Sequence, residues 1–130
     1  MAKRKNQSDH DDMVVTTANF LISNLYTDVK ADVNDYETPT KIIWSKTQDG
    51  HIPDVTAKYN GVEHIWEIET EDSISIDHTK SQWKLFSSYA SQHNAVFHIV
   101  VPEGSIDEAQ NQAGEWKISA EFHEVKYSNS

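Results

Sequence analysis

The chain has no cysteine among its 130 residues, which removes disulfide scaffolds, thiolate zinc sites and cysteine nucleophiles from consideration. Only 4 glycines and 3 prolines are present, too few for a fibrous or low-complexity chain. No apolar run approaches the roughly 20 residues of a membrane span. The opening MAKRKNQSDHDD also lacks the apolar core of a signal peptide. A soluble, cytoplasmic protein without membrane contact is therefore expected. Arginine is nearly absent: Arg4, in the polar N-terminal stretch, is the single one, so the folded part offers no bidentate guanidinium fork to phosphate. Lys and Arg number 11 against 21 Asp and Glu, a net charge of −10, which repels phosphate backbones unless lysines or a cation intervene locally. GxGxxG, P-loop, GxSxG and HExxH motifs are all missing, so dinucleotide binding, Walker-type ATP hydrolysis and serine hydrolysis have no support. The 7 histidines contain no i, i+4 pair, and a zinc site would have to gather them from separate elements. His98, inside an apolar run, reads as a core histidine, and His51 and His78 as loop or element-end residues.

What is present is enough for one compact core. The apolar content is 37% and the aromatic content 10%, which fits a single domain over residues 12–127 between polar tails at 1–11 and 128–130. Val14, Ala18, Leu21, Leu25 and Val29 recur at spacings of four and three, predicting one long amphipathic helix from about Asp12. Lys41 to Ser45 (KIIWS) is a strand candidate, followed by a polar turn from Lys46 to Gly50. Asp77 to about His93 reads as a helix with Trp83, Phe86 and Tyr89 or Ala90 on its apolar stripe. Ala95 to Val101 (AVFHIVV) reads as a buried strand. Ser105 and Glu108 form a capping-box pattern for a short helix closed by Gly114, before a last strand from Trp116 to Val125. The order helix, three strands, helix, strand, helix, strand predicts a three-layer α/β/α domain. Its mixed sheet would begin as an antiparallel meander and continue with parallel strands. Trp44, Trp66, Trp83 and Trp116 fall at core-like positions and read as packing residues.

The sharpest local signal is Asn60-Gly61 between Pro53–Tyr59 and Val62–Glu69, the dipeptide best suited to a two-residue type I′ turn. A tight turn pairs Tyr59 with Val62, Lys58 with Glu63, Thr56 with Ile65 and Asp54 with Glu67. Val55, Ala57, Tyr59, Val62, His64 and Trp66 then share one largely apolar face. Asp54, Thr56, Lys58, Glu63, Ile65 and Glu67 share the other, with Glu69 two residues farther on. Two carboxylates thus meet across the strands at a Cβ separation of roughly 4.5–5.5 Å. Three outcomes fit that pairing: a hard divalent ion such as Mg²⁺ or Mn²⁺, an acid/base pair with one raised pKa, or two solvated charges that splay apart.

Pro53-Asp54 thirteen positions before Glu67-Ile68-Glu69, on a hairpin preceded by a helix and followed by a helix and a buried strand, resembles the PD-(D/E)XK nuclease superfamily in its Glu-x-Glu variant. The resemblance implies a restriction-endonuclease-like fold and a Mg²⁺ or Mn²⁺ site made by Asp54, Glu67 and the main-chain carbonyl of Ile68. Where the superfamily usually places a lysine this chain has Glu69, as in some type II restriction enzymes. Lys80, on the following helix, is the candidate for a migrated lysine, ahead of Lys84. The implied activity is metal-dependent phosphodiester hydrolysis in nucleic acid, with Glu69 or Lys80 orienting or deprotonating the attacking water. With so little arginine, nucleic-acid binding is expected to be weak or to depend on a protein partner or a homo-oligomer. The alternative is a nuclease-like domain without catalysis that serves as a protein-binding or assembly module. A scaffold in which the PD and ExE matches are accidental is the third reading.

Overall fold

The computed structural model describes residues 7–44 and 49–126. Residues 1–6 of the expected N-terminal tail, the whole expected C-terminal tail 128–130 with Tyr127 before it, Ser45 of the KIIWS segment and most of the turn after it lie outside the described residues. The elements run α1 (Gln7–Ser23), β1 (Thr27–Ala31), β2 (Ile42–Ile43), β3 (Gly50–His51), β4 (Val55–Tyr59) and β5 (Val62–Ile68). After a 3₁₀ turn (Glu71–Ser73) come α2 (Asp77–His93), β6 (Val96–Pro102), α3 (Ile106–Trp116) and β7 (Glu121–Val125). A five-stranded sheet has the order β1-β4-β5-β6-β7. Its first three strands are antiparallel, and β6 and β7 continue parallel to β5. The expected α/β class, with an antiparallel meander followed by parallel strands, is what the chain forms.

Both faces of the sheet are covered, for the reason given by strand alternation. Val55, Ala57, Trp66, Ile68 and Val100 project toward α1 and pack against its Met13, Val14, Ala18 and Leu21. Ile65, Phe97, Ile99 and Val101 project the other way onto Trp83, Leu85 and Phe86 of α2 and Ala109 and Ala113 of α3. The hairpin register matches the expected one: Val55 pairs with Trp66, Thr56 with Ile65, Ala57 with His64, Lys58 with Glu63 and Tyr59 with Val62. Asn60 and Gly61 have φ of 51° and 78°, the two left-handed positions that a type I′ turn requires.

Several elements differ from the expected ones. The first helix starts at Gln7 instead of Asp12 and stops at Ser23. Val29, which continues the helical spacing, lies in β1, so the meander's first strand is Thr27–Ala31 and not KIIWS. KIIWS contributes only Ile42 and Ile43, paired with His51 and Gly50 in a separate two-stranded sheet. The helix is stopped by the backbone. Tyr26 N–H donates to Leu21 O at 3.0 Å and Leu25 N–H to Ile22 O at 3.3 Å, a Schellman arrangement with Leu25 at φ 71°. Leu25 is 79% exposed, so its side chain contributes little to offset the left-handed conformation. Leu25→Gly is expected to stabilise the fold by about 1 kcal/mol in urea unfolding.

At the other end of the chain, α3 runs through Gly114 to Trp116, and Lys117 at φ 59° supplies the left-handed cap. Ser105 makes no side-chain cap hydrogen bond, so the expected capping box is not formed. The last strand is accordingly shorter than expected and begins at Glu121.

Candidate functional site

The hairpin ladder determines where the acidic residues meet. Because Val55 pairs with Trp66, the preceding Asp54 lies beside Glu67 at the carboxyl end of β5, and the Asp54 N–H donates to Glu67 Oε1 at 3.1 Å. Asp54 Oδ2 in turn accepts the Ile68 N–H at 2.8 Å. Asp54 is 7% exposed and Glu67 fully buried. Main-chain N–H donors aimed at the charged forms favour ionisation and oppose the effect of burial. Asp54 and Glu67 are therefore brought together, with the Ile68 N–H bonded to the Asp54 carboxylate.

A histidine completes the group. His10 Nε2 lies 3.2 Å from Asp54 Oδ2, and its Nδ1 lies 3.3 Å from Asp11 Oδ1. A ring with a carboxylate oxygen at each nitrogen donates from both when protonated. The expected tail thus includes a residue that is 3% exposed and touches the site. A signal for it exists: His10, Val14, Thr17 and Leu21, at spacings of four, three and four, are all buried on α1, so the helical stripe extends back past the expected boundary. Asp32, whose N–H donates to Asp54 O at 2.9 Å, has its carboxyl pKa pushed up by burial first and by the Asp54 charge second.

Glu69 is also fully buried, on the same face of the sheet as Glu67. Its Oε1 accepts Ser73 Oγ–H at 2.6 Å, and its Oε2 accepts Trp83 Nε1–H at 3.0 Å. Ser73 closes the 3₁₀ turn by accepting the Thr70 N–H at 3.1 Å, and Trp83 belongs to α2. Glu69 therefore ties the end of β5 to the turn and to the helix above it. Ser73 and the Trp83 indole are partners that the sequence did not announce, since the spacing shows a carboxylate without showing its donors. Lys80 lies half-buried on the first turn of α2, and among the described residues it makes no salt bridge.

His51 and His78 do approach one another, with ring centroids 5.2 Å apart, and His51 Nε2 contacts Ser81 Oγ at 2.9 Å. Burial, followed by His78 and Lys41, lowers the His51 pKa, so this ring is neutral at pH 7. On the α2 face, a cleft of about 420 Å³ is lined by Lys30, Lys41 and Lys58 together with Glu63 and Tyr89. Comparison with known proteins gave no matching family model, curated protein or solved structure. No helix among the described residues is long and apolar enough to cross a membrane.

Proposed function

We propose that the protein is a metal-dependent hydrolase of nucleic-acid phosphodiester bonds, of the PD-(D/E)XK type. The observation that carries this reading is the pairing of Asp54 with Glu67, both buried at the carboxyl end of β5 and joined through the Asp54 N–H. The donor set fits a hard cation: two carboxylates and a main-chain carbonyl are oxygen ligands of the kind Mg²⁺ and Mn²⁺ prefer. Asp54, Glu67 and the Ile68 carbonyl would hold the ion. Bound there, it would supply Lewis-acid stabilisation of the scissile phosphate and a more acidic water.

The chain's own residues would do the rest. His10 positions the Asp54 carboxylate from the α1 side and, when protonated, offsets part of its charge. Glu69 holds α2 over the site through Trp83 and Ser73 and is assigned positioning instead of proton transfer, because scaffold donors engage both of its oxygens. Lys80 is then the candidate to orient the attacking water. Lys30 and Lys58 of the cleft beside the sheet pair with Glu37 and Asp28, so in a chain whose net charge is −10 the approach of a phosphate backbone would rely on the bound cation. The engagement of Glu69 favours the second reading, a catalytically inactive module that binds a protein partner, to the extent that Lys80 does not act.

Mn²⁺-dependent cleavage of mixed DNA and RNA substrates separates the two. Wild-type cleavage that falls at least about 100-fold in Glu67→Gln and about 10- to 100-fold in Lys80→Ala supports the hydrolase. Cleavage at the wild-type rate by Glu67→Gln would reject it. Absence of cleavage from the wild type would favour the inactive module.

A further inference from the structure

The opposite face of the same sheet carries a second group of metal-ligating side chains. The parallel register pairs Trp66 with His98 and His98 with Glu121. The two-residue period of a strand then puts His64 beside Trp66 on β5 and His123 beside Glu121 on β7, all pointing toward α1. The result is a row of rings across three strands. His64 Nδ1 lies 2.8 Å from His98 Nε2, and His98 Nδ1 lies 2.9 Å from His123 Nε2. Glu121 Oε1 is 4.0 Å from the same His98 Nδ1. Trp66 stacks on the His98 ring with centroids 3.7 Å apart and planes at 7°, which fixes the direction in which His98 presents its nitrogens.

We propose that His98 Nδ1, His123 Nε2 and a Glu121 carboxylate oxygen form a site for a zinc-class transition-metal ion, with His64 as a positioning residue. This site does not rest on the acidic-site reading. His98, Glu121 and His123 each bring one ligand atom, and the three atoms lie within 4.8 Å of one another. Two nitrogens bound to one tetrahedral zinc at about 2.0–2.1 Å stand roughly 3.3 Å apart. The 2.9 Å contact therefore has to open by only a few tenths of an ångström. In the ion-free protein the single hydrogen of one neutral ring bridges these two nitrogens; on binding, that ring changes tautomer, so that both rings carry their hydrogen on the outer nitrogen and the two facing lone pairs take the cation. For His98 that hydrogen is on Nε2 and donates to His64 Nδ1, the kind of outer contact that orients a ligating imidazole.

The surroundings suit such an ion. Burial, then the neighbouring His123 and His64, lower the His98 pKa to about 3, and burial lowers those of His64 and His123, so the rings are neutral ligands at pH 7. The group borders a cleft of about 430 Å³ that also takes in Phe20, Tyr26 and Thr17, and the Glu121 side chain is 65% exposed, so an ion has an entry path. Three protein ligands leave a fourth position toward that cleft, the pattern of zinc sites that take water or a small ligand. Two imidazoles and one carboxylate favour zinc-class ions over Mg²⁺.

The full-length protein is titrated with Co²⁺, monitored by the visible absorption of a tetrahedral cobalt complex, and Zn²⁺ is then added in competition. Wild type should give one saturable, zinc-displaceable band. His123→Ala and Glu121→Gln should each weaken binding at least about tenfold, and Asp54→Ala should leave it unchanged. Glu121→Gln alters an exposed side chain, so its result stands even where a histidine variant misfolds. His64→Ala should weaken binding about tenfold and change the band shape, whereas His64→Gln, which keeps an acceptor, should restore both. No tetrahedral band in the wild type, or wild-type affinity in Glu121→Gln or in a folded His123→Ala, would overturn the site. A His64→Ala protein with wild-type affinity and band shape would overturn the positioning role.

Discussion

Glu69→Lys is expected to lower folding stability by about 3–5 kcal/mol without creating a more active enzyme. The substitution installs the residue most common at the third motif position in the superfamily that the proposed function invokes, and on motif reasoning alone it should help. The structure argues the reverse. Glu69 is fully buried and accepts from Ser73 Oγ at 2.6 Å and Trp83 Nε1 at 3.0 Å. An ammonium in that place leaves two donors without an acceptor and adds a charge that faces them. Since a domain of this size has a total stability of roughly 5–15 kcal/mol, the loss takes a large share of it. Urea unfolding followed by tryptophan fluorescence measures this loss. A stable Glu69→Lys protein with increased Mn²⁺-dependent cleavage would show that the carboxylate's bonds are dispensable and that the position faces the reaction.

Trp83→Ala is expected to cost a similar amount, about 3–5 kcal/mol. Trp83 is fully buried and meets Trp116 edge-to-face with centroids 5.5 Å apart, so its loss opens a cavity between α2, α3 and the sheet. It also removes one donor from Glu69. Trp83→Phe separates the two effects, because it keeps most of the ring volume and deletes only the N–H, for an expected cost of about 1–3 kcal/mol. In a double-mutant cycle, Glu69→Gln and Trp83→Phe should be non-additive, with a coupling of about 0.5–3 kcal/mol. Additive losses would mean that the indole and the carboxylate stabilise the fold independently.

The parts of the fold that were legible in the sequence are those determined by local chemistry. Asn60-Gly61 dictates a type I′ turn, and with it the register that brings Asp54 to Glu67. The apolar stripe of Trp83 and Phe86 places α2 over Asp77–His93. Where tertiary packing decides, the local pattern misleads. Val29 falls at helical spacing after Leu25, yet a Schellman turn at a leucine ends the helix and sends Val29 into a strand. No glycine marks that stop. His10 shows the same limit from the other side: its neighbours are polar, and only the wider stripe of α1 together with the contact to Asp54 shows it as part of the domain.

The histidine row illustrates non-local determination most plainly. His64, His98 and His123 are separated by 34 and 25 positions. They become neighbours only because β6 and β7 are added parallel to β5 in a register that no single segment encodes. His98 is indeed a buried histidine within an apolar strand, as its sequence context indicates. The partners that give it chemical interest come from two other strands. The carboxylates of the acidic site, in contrast, sit on two strands joined by a two-residue turn, and spacing alone was enough to bring them together.

The central claim, a hard cation held by Asp54 and Glu67, is tested most directly by calorimetric titration of Mn²⁺ at low salt and pH 7 into His123→Ala and into the double variant Asp54→Ala/His123→Ala. The shared His123→Ala change removes a ligand of the proposed histidine site, so the remaining difference between the two proteins reports on the hairpin. The account predicts saturable binding near one equivalent in the single variant and loss of that binding in the double variant. Equal binding by both proteins, or none by either, would contradict it.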